Sequence, residues 1–231
     1  MLGAYYLIIG AGFLLSLAIQ AWLRRTYTKW SRIQNSLNLS GAEVARHLLQ
    51  SHQLSSIRVL EQKGKLTDHY DPRKKHIALS GQIYREPSIA SAAIAAHETG
   101  HALQDQDRYG PMQLRYMVLP IATLGAQYGP WAAIIGSFIG SPSLVHYGLL
   151  GFGVALMFQV LSLPIEFNAS TRAKEELESM GFTSPEDRAG ASKVLFAAAM
   201  TYVANAATAM AQVLFLLLLL GRSFFKSDSQ E

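Results

Sequence analysis

Long apolar stretches separated by polar segments dominate the pattern of this chain. The first covers residues 1–23 and has AYYLIIGAGFLLSLAIQAWL at its centre. Three further apolar runs cover residues 117–140, 146–165 and 195–220. A helix needs about 20 predominantly apolar residues to cross the hydrocarbon core of a bilayer. The pattern therefore predicts four transmembrane helices.

The first run could alternatively be a cleavable signal peptide. No basic residue precedes it, and Arg24 and Arg25 follow it directly. A signal peptide has the opposite charge order and a small-residue cleavage site. We therefore favour a retained transmembrane helix over residues 1–23.

The second and third runs have an alternative as a buried hairpin of core helices. Residues 116–165 contain no Asp, Glu, Lys or Arg, and this absence of charge favours the membrane. Pro120 and Pro130 interrupt the second run, so we expect a kinked helix there.

The basic residues indicate the topology. Eighteen of the twenty lie in two polar segments, 24–116 and 166–194, and the others lie in a short tail, 221–231. Four spans place both segments on one side of the membrane. By the positive-inside rule that side is the cytoplasm. We expect a multi-pass membrane protein with both polar segments on the cytoplasmic side.

The segment 24–116 is expected to form a small α+β unit. Ser40 and Glu43 indicate the start of a helix, and residues 56–62 and 75–80 have the pattern of strands joined through turns. Residues 69–72 are expected to be irregular. The second strand, formed by Ile77, Ala78, Leu79 and Ser80, could bind an extended peptide by strand addition. An ordinary strand within a sheet is the alternative.

An Ala-rich helix is predicted over residues 88–107, starting after Pro87 and ending at Gly110-Pro111. It contains the sequence HETGH, in which His97 and His101 are four residues apart and share one helix face. Two imidazoles on one face, with Glu98 beside the first, match the needs of a zinc hydrolase. The alternative is a surface helix with two solvated histidines. The small apolar residues before the motif indicate burial, which favours a bound metal.

A third ligand is expected, because a catalytic zinc usually has three protein ligands and one open position. Between Asp107 and Lys174 the chain has a single acidic residue, Glu166, just after the third apolar run. A carboxylate at the edge of a membrane helix needs a partner. Glu166 could be that third ligand, or it could pair with Arg172 instead.

Composition supports this interpretation. Half of the residues are hydrophobic and 16% are charged, below the share in ordinary soluble domains. The chain has no cysteine, so any metal must be held by His, Asp or Glu. We attribute the net charge of +4 to membrane topology and expect no nucleic-acid partner.

The chain resembles the membrane-bound neutral zinc metallopeptidases of the YugP-like family, which are distantly similar to the HtpX and CAAX-protease type of gluzincin. The stretches that carry the resemblance are LTDHYDPRKKHIALS at 66–80, SIASAAIAAHETGHALQ at 88–104 and LPIEFNASTRAKEEL at 163–177. The resemblance implies a mainly α membrane protein with a small α+β zincin-like cytoplasmic domain carrying the HExxH helix. It also implies His97, His101 and Glu166 as ligands of one Zn²⁺ and Glu98 as catalytic base.

The chain departs from its relatives at one point. They commonly carry an acidic residue shortly after the third ligand, where this chain has Asn168 and Ser170. Either side chain can hydrogen-bond a ligating histidine, but neither adds negative charge. Arg172 and Tyr202 are candidates for stabilising an oxyanion, and His69 could also approach the site.

We therefore predict an integral-membrane zinc endopeptidase acting on membrane-proximal or unfolded proteins. Its expected partners are the lipid bilayer and a peptide or protein substrate, and a homo-oligomer is left open. The alternative is a membrane scaffold or regulator with a structural or vestigial zinc site. Glu98 argues against that alternative, because a structural site needs no such carboxylate. A transporter is disfavoured, since no span has a charge near its middle.

Overall fold

The computed structural model describes residues 2–227, with the side chains of residues 7–215 and 217. Within these residues the chain is mainly helical, with a single three-stranded sheet. In chain order the elements are α1 (Leu2–Trp30), α2 (Gly41–Ser51), β1 (Arg58–Gln62), β2 (His69–Asp71), β3 (His76–Ser80), α3 (Gly81–Arg85), α4 (Ile89–Gln106), α5 (Gly110–Phe138), α6 (Pro142–Ser179) and α7 (Pro185–Ser227). The last four residues of the expected tail, 228–231, lie outside the described residues.

Four of the described helices are long and apolar enough to cross a membrane, which confirms the predicted number of candidate spans. The candidate spans are Leu7–Trp30, Gly110–Phe138, Pro142–Ser179 and Pro185–Phe215. These helices continue beyond the apolar runs. In particular, α6 runs without interruption through Glu166 as far as Ser179, because no glycine or proline follows Pro164 until Gly181. Glu166 therefore lies on a continuous helix.

The chain divides into two compact units. One comprises the described residues of Met1–Ala18, Gly110–Pro164 and Thr201–Glu231. In this unit α5 and α6 pack through glycines: a Cβ on Gly125 would collide with the carbonyl oxygen of Gly151, and one on Gly129 would lie 2.8 Å from that of Gly148. Helix α5 remains a single helix with Pro120 and Pro130 inside it.

The second unit comprises Ile19–Tyr109 and Ile165–Met200, and it holds the sheet. The strand order is β1-β3-β2, with β1 parallel and β2 antiparallel to β3. Helix α2 begins with the predicted capping box, in which Ser40 and Glu43 bond each other's backbone N–H groups. Val44 and Leu48 on its buried face belong to the core, and α2 packs against α4. Most residues of α4 are buried, and its last residue, Gln106, is exposed.

The sheet corrects two expectations. Residues 69–71, expected to be irregular, form β2, whose three residues are too few to show an alternating pattern before Pro72. The strand-addition hypothesis for Ile77, Ala78, Leu79 and Ser80 was wrong in its premise of an exposed edge. β3 is the central strand, and Ile77 and Ala78 pair with β1 on one side and β2 on the other.

The end of α4 also differs from the prediction. The helix stops at Gln106, and Gly110-Pro111 opens α5 rather than closing α4. Proline is favoured in the first turn of a helix, where its missing N–H has no partner to lose. Hydrogen bonds from the N–H groups of Asp107 and Tyr109 to the carbonyls of Leu103 and Gln104 close the end of α4.

Candidate metal centre

Helix α4 carries the HETGH sequence in the interior of the second unit. The helix begins at Ser88, whose hydroxyl accepts a hydrogen bond from the Ser91 N–H. Ala95 and Ala96, which precede the motif, are fully buried. Glu98 is 7% exposed. The alternative interpretation of α4, a surface helix with two solvated histidines, is therefore wrong.

Close packing between α4 and α6 brings Glu166 to the two histidines. A Cβ added to Gly100 would lie 2.8 Å from the carbonyl oxygen of Ala169 and 3.3 Å from its Cα. Only glycine allows this separation without a shift of one helix. Ala169 and Ala173 on the facing side of α6 are also fully buried. Small residues on both helices thus set the position of Glu166, three residues before Ala169.

Three potential metal-binding side chains converge at this contact. Glu166 Oε2 lies 3.2 Å from His97 Nε2 and 3.6 Å from His101 Nε2. One donor atom from each residue lies within 4.8 Å of the others. The two imidazole rings have centroids 4.7 Å apart and are nearly perpendicular. Glu166 is only 3% exposed, so the histidines are the partners that its buried carboxylate requires.

Gln104, which the sequence analysis did not identify, orients His101. Its Nε2 donates to the carbonyl oxygen of Ile165 (2.8 Å) and to Asn168 Oδ1 (2.9 Å). Its Oε1 must therefore be the atom that lies 2.9 Å from His101 Nδ1, and His101 donates this hydrogen bond. The Nε2 of a neutral His101 then carries a lone pair directed at Glu166. Gln104 is three residues after His101 and therefore shares its helix face, and this spacing is the signal that could have revealed it.

Asn168 and Ser170 on α6 both contact this arrangement. Ser170 Oγ lies 3.2 Å from His97 Nδ1, and Asn168 reaches His101 through Gln104. Arg172 donates to Asn168 Oδ1 and forms a 2.6 Å ion pair with Asp107. Glu166 thus pairs with the histidines, whereas Arg172 pairs with Asp107. The other candidate, His69, is exposed and bonds the Thr67 carbonyl through Nδ1.

Burial and neighbouring charges shift the acidities of the site residues. Burial raises the pKa of the Glu98 carboxyl; His97 and His101 oppose this increase, and Glu166 and Asp68 add to it. For His101, burial disfavours the charged form, but the hydrogen bond and charge of Glu166 outweigh it and raise the pKa to about 9. Two histidines beside a carboxylate thus form a strongly polar cluster that attracts either protons or a metal cation.

The donor set matches the preferences of zinc. Zn²⁺ accepts imidazole nitrogen and carboxylate oxygen and commonly has three protein ligands at catalytic sites. His97, His101 and Glu166 supply two nitrogens and one oxygen from within 4.8 Å. Each imidazole also has a partner at its other nitrogen, as ligating histidines usually do.

Four apolar helices together with a buried His–His–Glu cluster define a membrane protein with a candidate metal centre. The chain belongs to the family described as "Putative neutral zinc metallopeptidase", whose model matches residues 5–221. It is 38% identical over 200 residues to a Bacillus subtilis (strain 168) protein described as "Putative membrane protease YugP", covering 87% of this chain and 89% of the relative. No solved structure matches the chain significantly. The resemblance found in the sequence is confirmed.

Proposed function

We propose that this chain is an integral-membrane zinc endopeptidase. The observation that carries the proposal is the convergence of His97, His101 and Glu166 donor atoms in one buried cluster, with Glu98 on the same helix. Zn²⁺ is the proposed metal, one per chain, with the three residues as its protein ligands. Family membership supports this choice of metal and reaction.

The second unit is proposed to act as a zincin-like domain. Its HExxH helix lies beside a small sheet, and its third ligand comes from a later helix, α6. The small residues at the α4–α6 contact would then hold the three ligands at a fixed separation. Metal–ligand distances vary by only about 0.2 Å, so this close packing suits the task.

The mechanism follows from the positions of the side chains. Zinc held by His97, His101 and Glu166 would supply a Lewis acid that makes a water molecule more acidic. Glu98 would accept a proton from the attacking water and deliver it to the leaving amine of the peptide bond. Burial raises the pKa of the Glu98 carboxyl, which favours a group that must both accept and return a proton. Gln104 and Ser170 hold the imidazoles in orientation.

The proposed substrates are membrane-proximal or unfolded polypeptides on the cytoplasmic side of a bacterial plasma membrane. The excess of basic residues in 24–116 and 166–194 supports this orientation. Arg172 and Tyr202 stay predictions as candidates for the oxyanion donor. Arg172 would have to act while bonded to Asn168 and Asp107.

Zinc content and casein cleavage of purified variants test the proposal together. Glu98→Gln is expected to keep about one zinc per chain and to lose proteolysis, because the metal site is intact but the base is removed. Glu166→Ala is expected to lose both. Glu175→Gln, an exposed carboxylate on the same helix α6, is the matched control and should keep both.

Two results would contradict the proposal. Casein cleavage by Glu98→Gln at the wild-type rate would remove Glu98 from the mechanism. Zinc bound by the wild type, Glu98→Gln and Glu175→Gln alike, with no cleavage of casein or of unfolded membrane-protein peptides, would favour a scaffold with a structural metal.

A further inference from the structure

A basic cavity lies beside the end of α1, within the second unit. It has a volume of about 670 Å³, and its lining includes Arg24, Arg32 and Lys65 together with Ser31. No acidic side chain is among its lining residues. Three cations around one cavity would repel each other, so a negatively charged ligand is the natural complement.

The three cations are available to such a ligand. The ion pairs found among the described residues involve none of Arg24, Arg32 and Lys65. Asp68 and Glu86 are the carboxylates whose charges act on Tyr27 in the cavity, and both accept hydrogen bonds from other groups. Asp68 accepts hydrogen bonds from the Ser80 N–H and hydroxyl, and Glu86 accepts one from Gln82 Nε2.

The neutral polar groups that line the cavity have partners within the protein. Tyr27 donates to Gln82 Oε1, and Thr28 donates to the Arg24 carbonyl oxygen. Ser31 is 7% exposed, and its side chain interacts with that of Tyr27. The three cations are therefore the groups that an anion in the cavity would contact, and the anion would supply their counter-charge.

The position along the chain identifies the source of the anion. Arg24 directly follows the first apolar run, and Trp22, which is 41% exposed, precedes it by two residues. Tryptophan and basic residues at the end of a transmembrane helix mark the level of the lipid headgroups. Basic clusters at this level on the cytoplasmic side bind anionic lipids.

From this geometry we infer that the cavity lined by Arg24, Arg32 and Lys65 binds the phosphate of an anionic phospholipid headgroup. The binding site is separate from the His97–His101–Glu166 cluster, with which it shares no residue. It would couple the second unit to the lipid composition of the membrane.

Native mass spectrometry of the full chain in detergent, titrated with phosphatidylglycerol or phosphatidylcholine, tests the inference. The variant Arg24→Gln/Arg32→Gln/Lys65→Gln removes the three cations. Each basic residue near an anionic surface strengthens binding about fivefold, so we expect this variant to bind phosphatidylglycerol about a hundredfold more weakly. The wild type should prefer phosphatidylglycerol to phosphatidylcholine, and the variant should not.

The control variant is Arg58→Gln/Arg73→Gln/Lys174→Gln, which removes the same charge from exposed positions outside the cavity. It should keep the preference for phosphatidylglycerol. An equal loss of affinity for phosphatidylglycerol in the two variants would show only general charge attraction and would overturn the inference. Complete displacement of phosphatidylglycerol by millimolar inorganic phosphate would also overturn it, because the cavity would then be a site for free phosphate. Zinc content, measured on every sample, reports folding and is expected to be unchanged.

Discussion

Replacing Gln104 with leucine removes the side chain that holds His101 in place. Gln104 is fully buried and makes three hydrogen bonds, to His101, Asn168 and the Ile165 carbonyl. Asn168 Oδ1 keeps its bond from Arg172. The Ile165 carbonyl lies within α6 and keeps a helical N–H as its partner. The cost therefore falls mainly on the Nδ1–H of His101, which is left without an acceptor.

The size of the effect follows from the cost of a buried, unsatisfied donor. That cost is about 1–3 kcal/mol, which corresponds to a factor of about 5 to 150 in an equilibrium constant. Loss of the outer hydrogen-bond partner of a metal ligand typically weakens metal binding about 10- to 100-fold. Both arguments predict weaker zinc binding in Gln104→Leu, by about fivefold or more.

Competition with a chromophoric zinc chelator at neutral pH measures this change. The matched control is Gln106→Leu on the same helix, because Gln106 is exposed and makes one 3.3 Å hydrogen bond to the His52 carbonyl. The control should bind zinc as the wild type does. Equal zinc affinity in the two variants would refute the assigned role of Gln104.

Four further predictions concern the packing, the metal, the topology and the pH dependence. Gly100→Ala should lower zinc affinity, because its Cβ meets the Ala169 carbonyl at 2.8 Å; Gly153→Ala, with nothing within 4 Å, should not. Chelator dialysis should abolish casein cleavage, and added Zn²⁺ should restore it; cleavage that survives metal removal would contradict this. In this cysteine-free chain, Lys74→Cys should react with maleimide only from the cytoplasmic side and Ser143→Cys only from the outside; the reverse pattern would invert the topology. Burial raises the pKa of the Asp68 carboxyl, so protonated Asp68 favours the folded state at acid pH, and this contribution to the free energy of unfolding is lost as pH rises above about 4 through the raised pKa. Urea unfolding at a series of pH values should show a smaller loss of stability in Asp68→Asn than in the wild type. Equal pH profiles of the two proteins would contradict this prediction.

Much of the fold could be predicted from local pattern. Apolar runs of membrane length give the four spanning helices directly, and the spacing of His97 and His101 predicts a shared helix face. The capping residues of α2 also gave the correct helix start. In each case the determining interactions lie within a few residues of one another.

The failures have a common physical cause. β2 exists because it pairs with β3, and the central position of β3 depends on pairing on both sides. Neither fact is visible in a strand of three to five residues. Gln104 was missed for a similar reason, since its partners Ile165 and Asn168 are about 60 residues away and are brought near by the α4–α6 contact. Glu166 could be proposed only because it is the one acid in a long uncharged stretch.

X-ray absorption at the zinc edge of the purified wild-type chain tests the central claim most directly. The account predicts about one zinc per chain, with two imidazole nitrogens and carboxylate or water oxygens at about 2.0–2.2 Å. Glu166→Ala should lose the metal. A zinc environment without imidazole, or one unchanged by Glu166→Ala, would contradict the assignment of His97, His101 and Glu166 as the metal site.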